Sequence, residues 1–138
     1  MSETNKATCR RYFTEVHGRH NLDVCDEIFH PDFVLIDPLV DEPIRGPAGM
    51  KALFEAYWLG MPDVEAELHE QIAEGDKVVS HYTTRGTHTG DMLGIPATGK
   101  RYELRGVLIS RLVDGKIIEE HDYRDDLGML RQIGVVAL

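Results

Sequence analysis

The sequence predicts an α+β fold in which three N-terminal helices cover a strongly curved antiparallel sheet. Three observations carry this. Apolar residues recur at helical spacing as far as Pro62. Beyond Pro62 the pattern alternates residue by residue, as in half-buried strands. Those strands are long and joined by tight turn signals, Glu74-Gly75-Asp76-Lys77 and Asp114-Gly115. Helices first and strands afterwards must pack as two layers. A curved sheet leaves a gap beneath its helices, which is where small-molecule sites form.

The elements follow in order. Residues 4–17 form an amphipathic helix with Ala7, Tyr12, Phe13 and Val16 on one broad face. Residues 18–21 break it, and Asn21 caps a second helix that turns Leu22, Cys25, Ile28 and Phe29 inward. Pro31 ends that helix, and residues 33–37 make a short strand. A loop over 38–47 holds three prolines and leads to a third helix, about 48–59, carrying Met50, Leu53, Phe54, Tyr57 and Trp58. In the first long strand Val64, Ala66 and Leu68 face one way, and Glu65, Glu67 and His69 the other. Residues 78–89 continue as a strand, 93–99 form a loop, and 101–113 return. The final strand, 116–123, precedes a short helix over 126–132, capped by Asp125 or Asp126 and stopped at Gly134.

The 138 residues, 1–138, make a single domain, long enough to bury roughly 65–70% of the unfolded surface. With 24 acidic against 15 basic residues the net charge is −9, which argues against nucleic acid or an anionic membrane as partner. No apolar run approaches the ~18 residues that span a bilayer, and the N-terminus lacks a signal-peptide core. A cytoplasmic location is expected. Cys9 and Cys25 fall at inward helical positions and read as small buried hydrophobes in a reducing compartment.

Asp122 leads the chemical candidates. On its strand Ile118, Glu120, Asp122 and Arg124 share one face, and Glu119, His121 and Tyr123 the other. A carboxylate in an apolar pocket has a raised pKa and can act as general base or acid. The plainer alternative is an exposed aspartate paired with Arg124. Asp37, just before Pro38, would lie across the pocket mouth, although acids before prolines are also common turn residues. Tyr12 could reach a substrate oxygen from the first helix, or be a core residue. Phe33, Leu35, Phe54, Trp58, Tyr82, Leu104, Leu108 and Glu120 are expected to line the pocket. The seven histidines, at 17, 20, 30, 69, 81, 88 and 121, show no metal-binding spacing and read as loop or surface residues. No metal site is expected. Arg105 and Arg111 lie opposite Leu104, Gly106 and Leu108, suited to a dimer contact or salt bridges.

Three blocks carry a family resemblance: Phe29-His30-Pro31-Asp32-Phe33; Gly86-Thr87-His88-Thr89-Gly90 through Leu93-Gly94-Ile95-Pro96; and Asp114-Gly115-Lys116-Ile117 through Leu130-Arg131-Gln132-Ile133-Gly134. From Tyr12 to Gly134 the chain resembles the SnoaL-like polyketide cyclases, of the superfamily shaped like nuclear transport factor 2. The resemblance implies a cone-shaped fold, a small hydrophobic ligand and no metal or organic cofactor. It also implies that Asp122 matches the aspartate acting as general acid/base in intramolecular aldol ring closure. The block from Asp37-Pro38 to Pro43 resembles the ketosteroid isomerases of the same fold. There Asp37 matches the base and Tyr12 the tyrosine that hydrogen-bonds the developing enolate. Leu108 departs from both patterns, standing where the cyclase has histidine and the isomerase a protonated acid. Gly106 likewise replaces a polar residue of the cyclase.

A proton-transfer enzyme acting on a hydrophobic carbonyl compound, without a cofactor, is the expected function. A non-catalytic binding or dimeric assembly module is the alternative, with Val107, Ile109, His121 and Tyr123 on the outer sheet face suited to a homodimer. Epoxide opening of the limonene-epoxide hydrolase kind is a further option. It wants an Asp–Arg–Asp network, and the middle strand has no Arg-x-Asp: Arg105 is flanked by Leu104 and Gly106, with Glu103 two residues earlier.

Overall fold

The computed structural model describes residues 2–92 and 94–137; Leu93, in the loop expected over 93–99, lies outside the described residues. The first helix, α1 (Ser2–Arg11), runs on into a π-helical segment, Tyr12–His17. Then come α2 (Val24–Ile28), β1 (Phe29–Ile36), β2 (Ile44–Arg45) and α3 (Gly46–Gly60). Four strands follow, β3 (Glu65–Glu74), β4 (Lys77–Thr87), β5 (Arg101–Val113) and β6 (Lys116–Arg124), and α4 (Asp126–Gln132) closes the order. The second helix ends at Ile28, so Pro31 lies inside β1 rather than at a helix end. The short β2 pairs with β1 inside the proline-containing stretch expected to be loop throughout.

The six strands form one curved, open sheet in the order β2-β1-β6-β5-β4-β3. Neighbours pair antiparallel except β1 and β6, which run parallel, so the sheet is mixed rather than wholly antiparallel. Alternation along a strand fixes which side chains face inward, but it carries no information about which distant strand lies alongside. The β5–β6 hairpin turns at Asp114 and Gly115 with φ of 52° and 76°, left-handed values suited to a two-residue turn. A bulge between Arg111 and Leu112 breaks the β5–β6 register. It flips the parity at the start of β6: Ile117 is buried, whereas Ile118, expected to share the face of Asp122, is not.

The inner face of the sheet packs on the helices through two apolar clusters. One contains Phe13, Phe29, Phe33, Cys25 and Leu108, the other Met61, Tyr102, Leu104, Met129 and Ile133. Each large side chain removed from water contributes about 1.5–3 kcal/mol. Both cysteines are buried and free. Two histidines are also interior, against expectation. His88 is 0% exposed because its Nδ1 is held by the hydroxyl and the backbone N–H of Thr98, closing the loop after β4. His17 is packed by the π-helical turn. Asp125 caps α4 by accepting from the N–H of Gly128. No helix among the described residues is long and apolar enough to cross a membrane.

Candidate active site

A cleft lies where the two apolar clusters meet, lined from one by Tyr12, Leu35, Phe54 and Tyr82 and from the other by Met92, Leu104 and Met129. Its space, counting the open mouth, is about 1010 Å³. Asp37, Asp122, Arg124 and Asp126 supply the charged part of its wall.

The parallel pairing of β1 with β6 assembles that group. Ile36 is in register with His121, so Asp37, the next residue, falls beside Asp122. Beyond the bulge, Glu120, Asp122 and Arg124 point inward at alternate positions of β6. The Arg124 guanidinium then joins three carboxylates. Nη1 donates to Asp37 Oδ2 at 2.7 Å and to Asp122 Oδ2 at 2.8 Å, and Nη2 to Asp37 Oδ1 at 2.9 Å. Nε donates to Asp126 Oδ1 at 3.2 Å. Bidentate pairing of this kind is strong and geometrically selective. Burial opposes the charge on Arg124, but the three acids outweigh it and hold the group cationic. Asp37 is further fixed by the backbone N–H of Leu39, which donates to Oδ1 at 2.9 Å.

Asp122 takes its second support from Tyr82, whose hydroxyl donates to Oδ1 at 2.6 Å. Burial raises the Asp122 pKa, while Arg124 and the Tyr82 hydroxyl pull against it. The result is a carboxylate more basic than one in water, held at both oxygens, with its remaining lone pairs available to the cleft. Tyr82 is itself pushed above the ordinary phenol range by burial and by Asp122, so it stays a donor.

Three expected site residues, Asp122, Asp37 and Tyr12, therefore share one cavity, as do Leu35, Phe54, Tyr82 and Leu104. Four others expected there do not line it. Phe33 packs on Phe29, with ring centroids 4.5 Å apart. Trp58 stacks on His20 at 4.0 Å. Leu108 faces inward between Ser80 and Asp122 on the neighbouring strands but is closed over by the core. Glu120 is fully buried, with Oε2 accepting from the Ser110 hydroxyl at 2.9 Å and Oε1 unpartnered. Sequence reasoning missed His17 and Asp126, and gave Arg124 no part beyond pairing with an exposed Asp122. The signal for Arg124 was its parity with Asp122. The Asp–Arg–Asp arrangement sought on the middle strand is built instead from Asp37, Arg124 and Asp122. Among the described residues no group of three or more His, Cys, Asp or Glu is arranged to hold a metal ion, and a guanidinium occupies the centre of the carboxylate cluster.

The model of the family described as SnoaL-like polyketide cyclase matches residues 7–133. The chain belongs to this family. Aklanonic acid methyl ester cyclase DnrD of Streptomyces peucetius is 33% identical over 128 residues, spanning 90% of this chain and 87% of that protein. Nogalonic acid methyl ester cyclase of Streptomyces nogalater is 34% identical over 115 residues, spanning 81% and 84%. The crystal structure of a SnoaL-like protein from Jannaschia sp. CCS1 superposes with a TM-score of 0.89 at 27% identity, over 98% of this chain and 94% of that one.

The glycine at position 106 of this SnoaL-like chain has a physical reason. Gly106 is the register partner of Tyr82, and a Cβ at 106 would stand 2.5 Å from the Tyr82 hydroxyl oxygen. The phenol lies over the bare backbone of β5, and it reaches Asp122 for that reason.

Proposed function

We propose that the protein is a cofactor-independent cyclase. It closes a ring by intramolecular aldol addition on a polyketide methyl ester, with Asp122 as the acid/base. The observation that carries this reading is the Asp122 carboxylate, buried in an apolar cleft yet fixed at both oxygens by Tyr82 and Arg124. Family membership and the esters named for DnrD and its Streptomyces nogalater counterpart support the choice of substrate.

In this mechanism Asp122 removes a proton from a carbon flanked by two carbonyls. The resulting enolate carbon attacks a ketone carbon within the same molecule, forming one carbon–carbon bond. Asp122 returns its proton to the new alkoxide, so no proton is gained or lost overall. Tyr12 donates to the enolate oxygen; its hydroxyl has no partner among the described residues, and burial keeps it protonated. Asp37 acts through Arg124 as a positioning residue. The outer face of the sheet, with Val107 and Ile109 in register with Tyr123 and His121, supports self-association of two copies.

The experiment is turnover of aklanonic and nogalonic acid methyl esters by the wild type and by Asp122→Asn. General acid–base catalysis contributes roughly 10²–10⁴-fold, so the variant should lose at least two orders of magnitude while remaining folded. Wild-type protein that binds an ester without converting it would favour a binding module. The Asp37–Arg124–Asp122 network favours one second reading, water addition to an epoxide with Asp122 activating the water. Hydrolysis of a cyclic epoxide, with both esters left intact, would select it.

A further inference from the structure

The helical wall of the cleft carries a polar group for which the aldol scheme has no role. In an α-helix residues four apart share a face, and residues five apart diverge. The segment Tyr12–His17 is wound as a π-helix, whose i→i+5 pattern brings positions 12 and 17 onto one side. Both line the cleft, with ring centroids 5.2 Å apart, while Val16 points into the core. His17 is 7% exposed and sets its ring edge-on to Phe54 at 5.2 Å.

The two nitrogens of that ring differ. Nδ1 is buried without a partner among the described residues, whereas Nε2 is not buried in that way and belongs to a side chain that lines the cleft. A neutral imidazole carries one proton. Placing it on Nδ1 would bury a donor with no acceptor, which folded proteins tolerate less well than an unused lone pair. The favoured tautomer therefore presents Nε2–H to the cavity. Burial also brings the His17 pKa down to about 4, so the ring is neutral at pH 7.

We infer that His17 donates a hydrogen bond through Nε2–H to a carbonyl or enol oxygen of an aromatic ketone lying between the helical wall and Asp122. The inference rests on the proposed cyclase reading for the role of that oxygen, and on the cavity alone for its recognition.

Fluorenone and fluorene share a tricyclic frame and differ by one carbonyl oxygen, which makes them direct probes. The wild type should bind fluorenone at least tenfold more tightly than fluorene. His17→Phe should lose that preference, read as the ratio of fluorenone to fluorene affinity. His17→Gln, whose side-chain amide can place an N–H near the Nε2 position, should retain it within about threefold. Nitrogen NMR of the wild-type imidazole should place the proton on Nε2 and show that signal moving with fluorenone only. Equal affinity of the wild type for the two probes, binding of neither included, overturns the inference. So does a preference that survives in His17→Phe, or a proton on Nδ1. If His17→Phe does not fold, the wild-type spectrum and the Gln variant decide. None of these readings involves turnover, so failure of the Asp122→Asn test leaves them intact, and the reverse holds too.

Discussion

Replacing Glu120 with glutamine should change how stability depends on pH, because Glu120 is buried as an acid. Burial pushes its pKa from 4.5 up to about 8, with the Ser110 hydroxyl pulling the other way and Asp122 adding to the rise. Cys9 faces it from α1, Ser110 from β5 and Asp122 from its own strand, and none of them offers a compensating cation. Folding therefore takes up a proton anywhere between pH 4.5 and 8. The stability this group contributes is complete below about pH 4.5 and is lost as pH rises through 8. At 1.36 kcal/mol per pH unit, the loss between pH 4.5 and 7 is about 3 kcal/mol. Glutamine keeps the shape and cannot ionise. Urea unfolding at half-unit pH intervals should show Glu120→Gln gaining about 3 kcal/mol on the wild type across that window. His17 has the opposite linkage. Its pKa falls from 6.5 to about 4, so its contribution grows as pH rises through that interval. The wild-type curve should accordingly decline less below pH 6.5 than above it. Curves for wild type and Glu120→Gln that run parallel from pH 4.5 to 8 would refute the reasoning.

Two further outcomes follow from the same packing. Arg124→Met should cost about 3–5 kcal/mol by leaving Asp37 and Asp122 buried without their cation, and adding Asp37→Asn should recover part of it in a double-mutant cycle. Ile109→Glu, on the outer sheet face beside His121 and the half-exposed Tyr123, should convert a dimer to a folded monomer in sedimentation velocity; sedimentation as a monomer by the unaltered protein would remove that interface.

Much of the scaffold was legible in the chain itself. Arg101–Val113 and Asp126–Gln132 begin and end where alternation, capping and turn chemistry put them. The hairpin at Asp114-Gly115 followed from residue type alone, since those two positions take left-handed φ values. Asp122 was chosen by parity and by likeness to the cyclases, and its strand face does point inward. Parity failed at Ile118, where one bulge reverses it. Expecting Leu108 and Glu120 in the pocket failed for a related reason: facing inward on a sheet does not say whether a helix or a cavity lies above.

The sequence by itself determined the strands, the turns and the faces, because these depend on residues within a few positions of one another. Tertiary structure decided the chemistry. The contact between Asp37 and Arg124 spans 87 positions and exists only because β1 lies parallel to β6. Tyr82 meets Asp122 across 40 positions, over a glycine whose value shows only when the strands are side by side. His17 turns into the cleft through a change of helical winding that residue spacing does not announce. Periodicity is a local property of a chain, whereas the environment that sets a carboxylate's basicity is assembled from segments far apart in sequence.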